Sequence, residues 1–289
     1  MFYTNVARYS NYILYRGYDD LGKKIFKKEK FKPKFFVPSK TETGWRGLDG
    51  NHIGEIDFDS MREARDWLEQ YQHVTGFQVY GTTNYLHQYV TRKFPKDIRF
   101  DRDKINVTTI DIETEYEGGF PQVEVADQKV LAITIKNNID GVYHVWGLQD
   151  YDTEKALIKP VNYVKCESEP ELLARFVNHW RQEENIPDVI TGWNVRFFDI
   201  PYLVNRVNRI CGVDMVRQFS PWGLIDQRKV RRLNREEMTY DIKGIQVMDY
   251  LELFQKFGYS YGKQESYKLD HIGHVVLGEK KLSYEESGS

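Results

Sequence analysis

A chain of 289 residues is long enough for two ordinary domains, each with its own core. Its 41 basic and 43 acidic side chains leave a formal charge of −2, which excludes a globally basic nucleic-acid binder and a protein held on acidic membranes by net charge; any electrostatic footprint has to be local. No apolar run approaches the roughly eighteen residues of a membrane span, Met1-Phe2-Tyr3-Thr4-Asn5 carries no basic-then-apolar signal pattern, and Cys166 and Cys211 stand far apart without metal or redox spacing, so a non-secreted, cytosolic protein with reduced, packed cysteines is expected.

In chain order, residues 2–8 and 11–16 read as short strands, 17–22 as a turn-rich link, and a lysine-rich run ends in Phe35-Phe36-Val37. Between Lys23 and Lys40 eight lysines face the single acid Glu29, interleaved with Phe26, Phe31, Phe35 and Phe36. That pattern is compatible with phosphate contacts and base stacking. The favoured reading is a lysine-protected edge strand with its phenylalanines inward. Ser60-Met61-Arg62-Glu63 is a capping box, after which Met61, Ala64, Trp67, Leu68 and Tyr71 fall on one helical face. Residues 1–103 thus form a small α+β domain, closing after Phe94-Pro95-Lys96-Asp97.

From Lys104 strands alternate with helices. Residues 105–112, 130–136 and 141–146 read as consecutive strands, and Ser168-Glu169-Pro170-Glu171 is a second capping box, opening a helix whose Leu172, Leu173, Phe176 and Trp180 face a core. A strand over 188–191, a helix over 201–210 and a strand over 244–248 follow. This order predicts an α/β domain over 104–289 with a mixed sheet flanked by helices. The basic segment from Arg228 to Tyr240 reads as a hairpin turning near Asn234. The seven histidines show no ligand spacing, and His271 and His274, on a presumed helix, are packing or surface residues. Asp249 and Asp270 are read as local caps.

Two segments carry chemistry. In Ile110-Asp111-Ile112-Glu113 the two carboxylates are two residues apart, so on a strand they emerge on one face, close enough to share a cation. Hard oxygen ligands suit Mg²⁺ or Mn²⁺, whereas the plain alternative is a polar strand end. In Asn194-Val195-Arg196-Phe197-Phe198-Asp199-Ile200-Pro201, Asp199 stands where a helix should begin. It can be a helix N-cap, a ligand, or both.

Asp111-Ile112-Glu113 and Asn194-x-x-x-Phe198-Asp199 resemble the first and second exonuclease motifs of the DEDD superfamily as they occur in family-B DNA polymerases. Ser266-Tyr267-Lys268-Leu269-Asp270-His271-Ile272 and Leu277-Gly278-Glu279-Lys280-Lys281 are similar to the segment that follows them, and the wording is closest to polymerases of T-even-like phages. The resemblance covers essentially the whole chain. It implies an RNase H-like 3′→5′ proofreading exonuclease domain behind an N-terminal domain, with two cations, Mg²⁺ or Mn²⁺, held by Asp111, Glu113 and Asp199 as the catalytic set. It further implies contact of Phe120, Asn194 and Phe198 with the 3′ end of single-stranded DNA. By the same resemblance the hairpin, through Arg231, Arg232 and Arg235, would act at the primer–template junction. Ordinary core packing is the alternative for Phe120 and Phe198.

The family's third motif, a Tyr-x-x-x-Asp on a helix, is not met before Ser289, and no polymerase motif is present. Tyr80-Gly81-Thr82-Thr83-Asn84 has the outline of one but lacks both carboxylates. The expectation is a C-terminally incomplete exonuclease that is feebly active alone and works with the remaining polymerase polypeptide, in cis or as a second chain, in the cytoplasm of an infected host. The rivals are a free-standing DEDD exonuclease and a non-catalytic DNA-binding subunit of a split polymerase.

Overall fold

The structure, a computed structural model, describes residues 1–116, 119–232 and 235–280, with the backbone alone at Arg232. The chain divides into two compact units, Met1–Lys104 and Ile105–Ser289.

In the first unit, β1 (Phe2–Tyr9), β2 (Tyr12–Tyr18) and β3 (Lys24–Lys30) form an antiparallel meander with β3 at an edge. A second small sheet has β4 (Lys34–Pro38), β6 (His52–Asp57) and β5 (Trp45–Arg46) in that order. Two helices, α1 (Met61–Tyr71) and α2 (Tyr85–Lys93), complete the unit. Its core is built from Ile13 and Tyr15 of β2, Phe31, Phe35 and Phe58, and Met61, Ala64, Tyr85 and Tyr89 of the helices. Phe31 and Phe35 are therefore unavailable for base stacking, and the lysine-rich run supplies an edge strand to each sheet, with Phe31 and Phe35 inward and Phe26 and Phe36 half-buried. The capping box at α1 forms with a shifted return bond: Ser60 Oγ accepts the Glu63 N–H at 3.1 Å, and Glu63 Oε2 accepts the N–H of Asp59, one residue before the N-cap, at 2.8 Å. Tyr80–Asn84 is a turn whose last residue caps α2 by accepting the Leu86 and His87 N–H groups. That helix lacked a sequence signal because its first turn has no acid and its apolar face is mostly tyrosine.

The second unit contains β7 (Val107–Thr114), β8 (Val130–Asn137), β9 (Tyr143–Gly147), β10 (Val161–Lys165), α3 (Glu169–Trp180), β11 (Val189–Gly192), α4 (Asp199–Cys211), α5 (Val213–Arg217), β12 (Ile225–Arg232), β13 (Arg235–Ile242), β14 (Gln246–Asp249), α6 (Tyr250–Phe257) and α7 (Leu269–Leu277). Six strands make one sheet in the order β10-β9-β8-β7-β11-β14. β7, β8 and β9 are antiparallel neighbours, whereas β11 and β14 run parallel to β7 and β10 runs parallel to β9. This is the mixed sheet flanked by helices that the order of elements predicts. Ser168 holds the N-cap position of α3 without a side-chain cap bond, so the second capping box is not formed as expected, and Glu171 accepts the Glu167 N–H at 2.9 Å instead. Leu172, Leu173, Phe176 and Trp180 of α3 are all buried, and the Trp180 indole N–H donates to the Phe219 carbonyl at 3.0 Å.

One buried ion pair joins α3 to α4. Arg206 Nε and Nη2 donate to the two oxygens of Glu169 at 2.7 and 2.6 Å, and Glu169 Oε1 also accepts the Val130 N–H. Arg206 Nη1 donates to the carbonyls of Ala126 and Asp127. Every donor and acceptor named here is used, so removing the arginine strands a buried carboxylate. Arg206→Met is expected to cost about 3–5 kcal/mol in urea denaturation, while Arg206→Met combined with Glu169→Leu recovers much of that loss.

His179, on α3, lies 5.0 Å from the Trp146 ring and 4.7 Å from that of His144. Burial first, then the neighbouring imidazole, push it down to about 4. Between its ordinary value near 6.5 and that lower one the unfolded chain binds a proton that the folded chain does not, so stability falls as pH drops through this window. The urea midpoint of His179→Leu should change less between pH 7 and pH 4.5 than that of the parent.

Candidate active site

The site starts from the alternation along β7. Thr108, Ile110 and Ile112 are buried, while Thr109, Asp111 and Glu113 face outward on the opposite side, so Asp111 and Glu113 share one open face. Across β8 they stand opposite Thr134 and Ala132, neither charged, and the register shifts between Glu113 and Thr114, a bulge that ends regular pairing beside the carboxylates.

Asp199 arrives from β11. That strand pairs with β7 only as far as Thr191 opposite Thr109, and it stops at Gly192. A Cβ at Gly192 would come within 2.7 Å of the Ile110 carbonyl oxygen, so only glycine lets the chain leave this close to β7. The next ladder donor on that edge, the Ile112 N–H, is accepted by Asp199 Oδ1 at 3.2 Å. Asp199 is the first residue of α4 and Phe198 occupies the N-cap position, so the N-cap reading of Asp199 is corrected: its carboxylate serves the strand. It is only 4% exposed, and burial, then the negative charge of Asp111, push it up to about 7. Asp111 and Asp199 thus come together. Glu113 shares the face of Asp111, but among the described residues no group of three or more His, Cys, Asp or Glu side chains is gathered to hold a metal.

The approach to Asp199 is set by a residue read from sequence only as a cap. Asp249, at the end of β14 and 2% exposed, does cap α6 by accepting the Leu251 N–H at 2.9 Å. Its carboxylate also accepts the N–H groups of Asn194 at 3.1 Å and Arg196 at 3.0 Å. Asn194 has φ +63°, a conformation asparagine tolerates, and its carbonyl accepts the N–H groups of Phe197 and Phe198. The signal for this role was the register of β14 beside β11, which local sequence does not carry. Asp270 is no N-cap: Lys268 holds that position at α7 and Asp270 lies in the first turn. His271 is half-buried and His274 exposed on the same helix.

Phe120 is 73% exposed, with its ring 5.2 Å from that of Phe198, which in turn stacks on Tyr202 at 5.7 Å. Core packing does not describe Phe120. Its loop is held by α4: the Tyr202 hydroxyl donates to the Gln128 carbonyl at 2.6 Å, Asn205 to that of Val123 at 2.8 Å, and Arg206 to those of Ala126 and Asp127. β12 and β13 form the expected antiparallel hairpin, registered as far as Arg232 opposite Arg235. Arg231 and Arg235 are exposed, whereas the Arg232 side chain and Asn234 lie outside the described residues. Arg228 pairs with Asp241 and Lys229 with Glu236, which neutralises part of the hairpin's charge.

This geometry coincides with a family. The model of the family B DNA polymerase exonuclease domain matches residues 72–272. The chain belongs to that family. It is 26% identical over 306 residues to the DNA-directed DNA polymerase of Enterobacteria phage T4, covering 98% of this chain and 33% of that protein. It is 28% identical over 308 residues to that of Escherichia phage RB69, covering 98% and 34%. A 132-residue stretch is 32% identical to the DNA polymerase catalytic subunit of Psittacid herpesvirus 1, covering 44% of this chain and 12% of the relative. The chain therefore spans about a third of the length of its phage relatives and carries the exonuclease domain of family-B DNA polymerases.

Asp249→Ala should strip acceptors from three N–H groups around a buried position and cost at least about 2 kcal/mol. Hydrogen exchange should then show faster exchange at the Asn194 and Arg196 amides than at those of β8.

Proposed function

We propose that this family-B exonuclease chain hydrolyses 3′-terminal nucleotides from single-stranded DNA ends, with Asp111, Glu113 and Asp199 holding two divalent cations, Mg²⁺ or Mn²⁺. The observation that carries this reading is the pair of outward carboxylates on β7 beside a buried third, tied to the same strand through the Ile112 N–H. The donor set fits such cations, because all three ligands are hard oxygens and because Asp111 and Asp199 repel each other until positive charge lies between them. Bound there, divalent cations supply a nucleophile near neutral pH and stabilise charge on the attacking and leaving oxygens. Asp199 is oriented by its hydrogen bond to β7, and the residues directly opposite Asp111 and Glu113 on β8, Thr134 and Ala132, are uncharged. The Phe120 ring offers a π-face to a terminal base, with Phe198 behind it and Asn194 beside the path.

In the same reading, Arg231, Arg232 and Arg235 of the hairpin contact DNA near the primer–template junction. Residues 1–103 are the N-terminal domain of the polymerase, and 104–289 its exonuclease domain. In this reading the work is done in the cytoplasm of an infected host, which the likeness to phage polymerases supports; among the described residues no helix is long and apolar enough to cross a membrane.

In that reading the chain by itself cuts slowly, roughly 10²–10³-fold below its complex with the rest of the polymerase polypeptide, the loss typical of an active site whose preorganised set is not whole. The test is degradation of a 3′-labelled oligonucleotide, with and without that polypeptide. Added polypeptide should accelerate the reaction and Asp111→Asn should abolish it; a chain equally fast alone would sink the incomplete-site reading, and an unaffected Asp111→Asn the carboxylate assignment.

A further inference from the structure

Within Met1–Lys104, and outside the residues matched by the family model, the β1–β2 turn and the start of α1 enclose a cavity of about 330 Å³ lined by Arg8, Ser10, Asn11, Met61, Arg62 and Arg65. Three of its six lining residues are arginines, in a protein whose overall charge is −2. Their donors are unequally used. Arg65 is occupied by Asp66 at 2.9 Å and Glu69 at 3.5 Å. Arg62 reaches Asp66 only at 3.7 Å and makes no side-chain hydrogen bond among the described residues. Arg8 has neither an ion pair nor a hydrogen bond from its guanidinium among the described residues, and it lies over the Tyr85 ring at 5.8 Å. A fourth cation, Lys28, is placed at the same end of the hairpin, its Nζ 4.6 Å from the Tyr12 ring centroid and 5.5 Å from that of Tyr9.

The α1 N-terminus is not what invites an anion. Its donors are already engaged, the Glu63 N–H by Ser60 and the Arg62 N–H by Asn11 Oδ1 at 3.0 Å. The unused donors belong to the guanidinium groups of Arg8 and Arg62, planar forks matched to tetrahedral oxyanions, which line the cavity together with buried Met61. The volume falls at the small end of ligand cavities, about 300–1,000 Å³, enough for a phosphoryl group and part of what it is attached to.

We propose that this cavity is a phosphate-binding site, which takes a phosphoryl group either from a free nucleotide or from the backbone of a nucleic-acid strand. It is independent of the nuclease reading, since no residue is shared with the carboxylate site.

The probe is pyrophosphate, titrated calorimetrically into the 289-residue chain in EDTA, so that no cation recruits it to the carboxylates. Saturable binding is expected, weakened roughly tenfold by Arg8→Ala or Arg62→Ala, each removing charge-assisted bonds, and lost in the double variant. Arg102→Ala, an exposed arginine of the same unit outside the cavity, should leave it unchanged. Displacement of bound pyrophosphate by an oligothymidylate lacking terminal phosphates would assign the site to a strand backbone, and displacement by thymidine triphosphate but not the oligomer to a free nucleotide. Absence of saturable binding, or equal binding by the parent and the double variant, overturns the proposal.

Discussion

The Ile112 N–H, facing the edge of β7 beyond the point where β11 stops, needs an acceptor, and the carboxylate of Asp199 is the one that reaches it. A backbone donor at the centre of a sheet cannot be left unpaired without a cost comparable to a lost hydrogen bond. That requirement fixes Asp199 beside Asp111, and the rest of the site is arranged around it. Gly192 lets the chain depart within reach of Ile110, Asn194 turns it in the left-handed region, and Asp249 grips the turn through two N–H groups. The buried position of Asp199 has the further effect of raising its pKa, so a group that secures the fold also carries electrostatic tension that a cation can relieve.

Local pattern carried much of this architecture. The alternation through Thr109, Asp111 and Glu113 announced a strand with two carboxylates on one face. The Ser60 box and the apolar face of α3 announced helices at those places, because caps and helical periodicity are encoded within a few residues. The lysine-rich strand was legible as a protected edge for the same reason.

What escaped depends on pairing between distant segments. Asp199 looked like an N-cap because an acid before Ile200-Pro201 usually is one; its use by β7 follows from the length of β11, which is set by three-dimensional register. Asp249 has the same character, a cap locally and a brace for residues 55 and 53 positions away. Arg206 and Glu169 were silent in the sequence, since a buried bidentate pair between two helices has no spacing rule. At α7 the error ran the other way, with Lys268 rather than Asp270 at the cap position.

The grip of α4 on the loop carrying Phe120 has a consequence for how such a chain can vary. Tyr202, Asn205 and Arg206 bind that loop through the carbonyl oxygens of Val123, Ala126, Asp127 and Gln128, groups every amino acid possesses. Apart from the buried Pro121 and Ala126, and Gln128, whose side chain donates to the Gly119 carbonyl, the amino-acid identities of the loop are therefore little constrained by its anchorage. Its sequence can vary while its path is kept, so the exposed aromatic tip can change without disturbing the carboxylates.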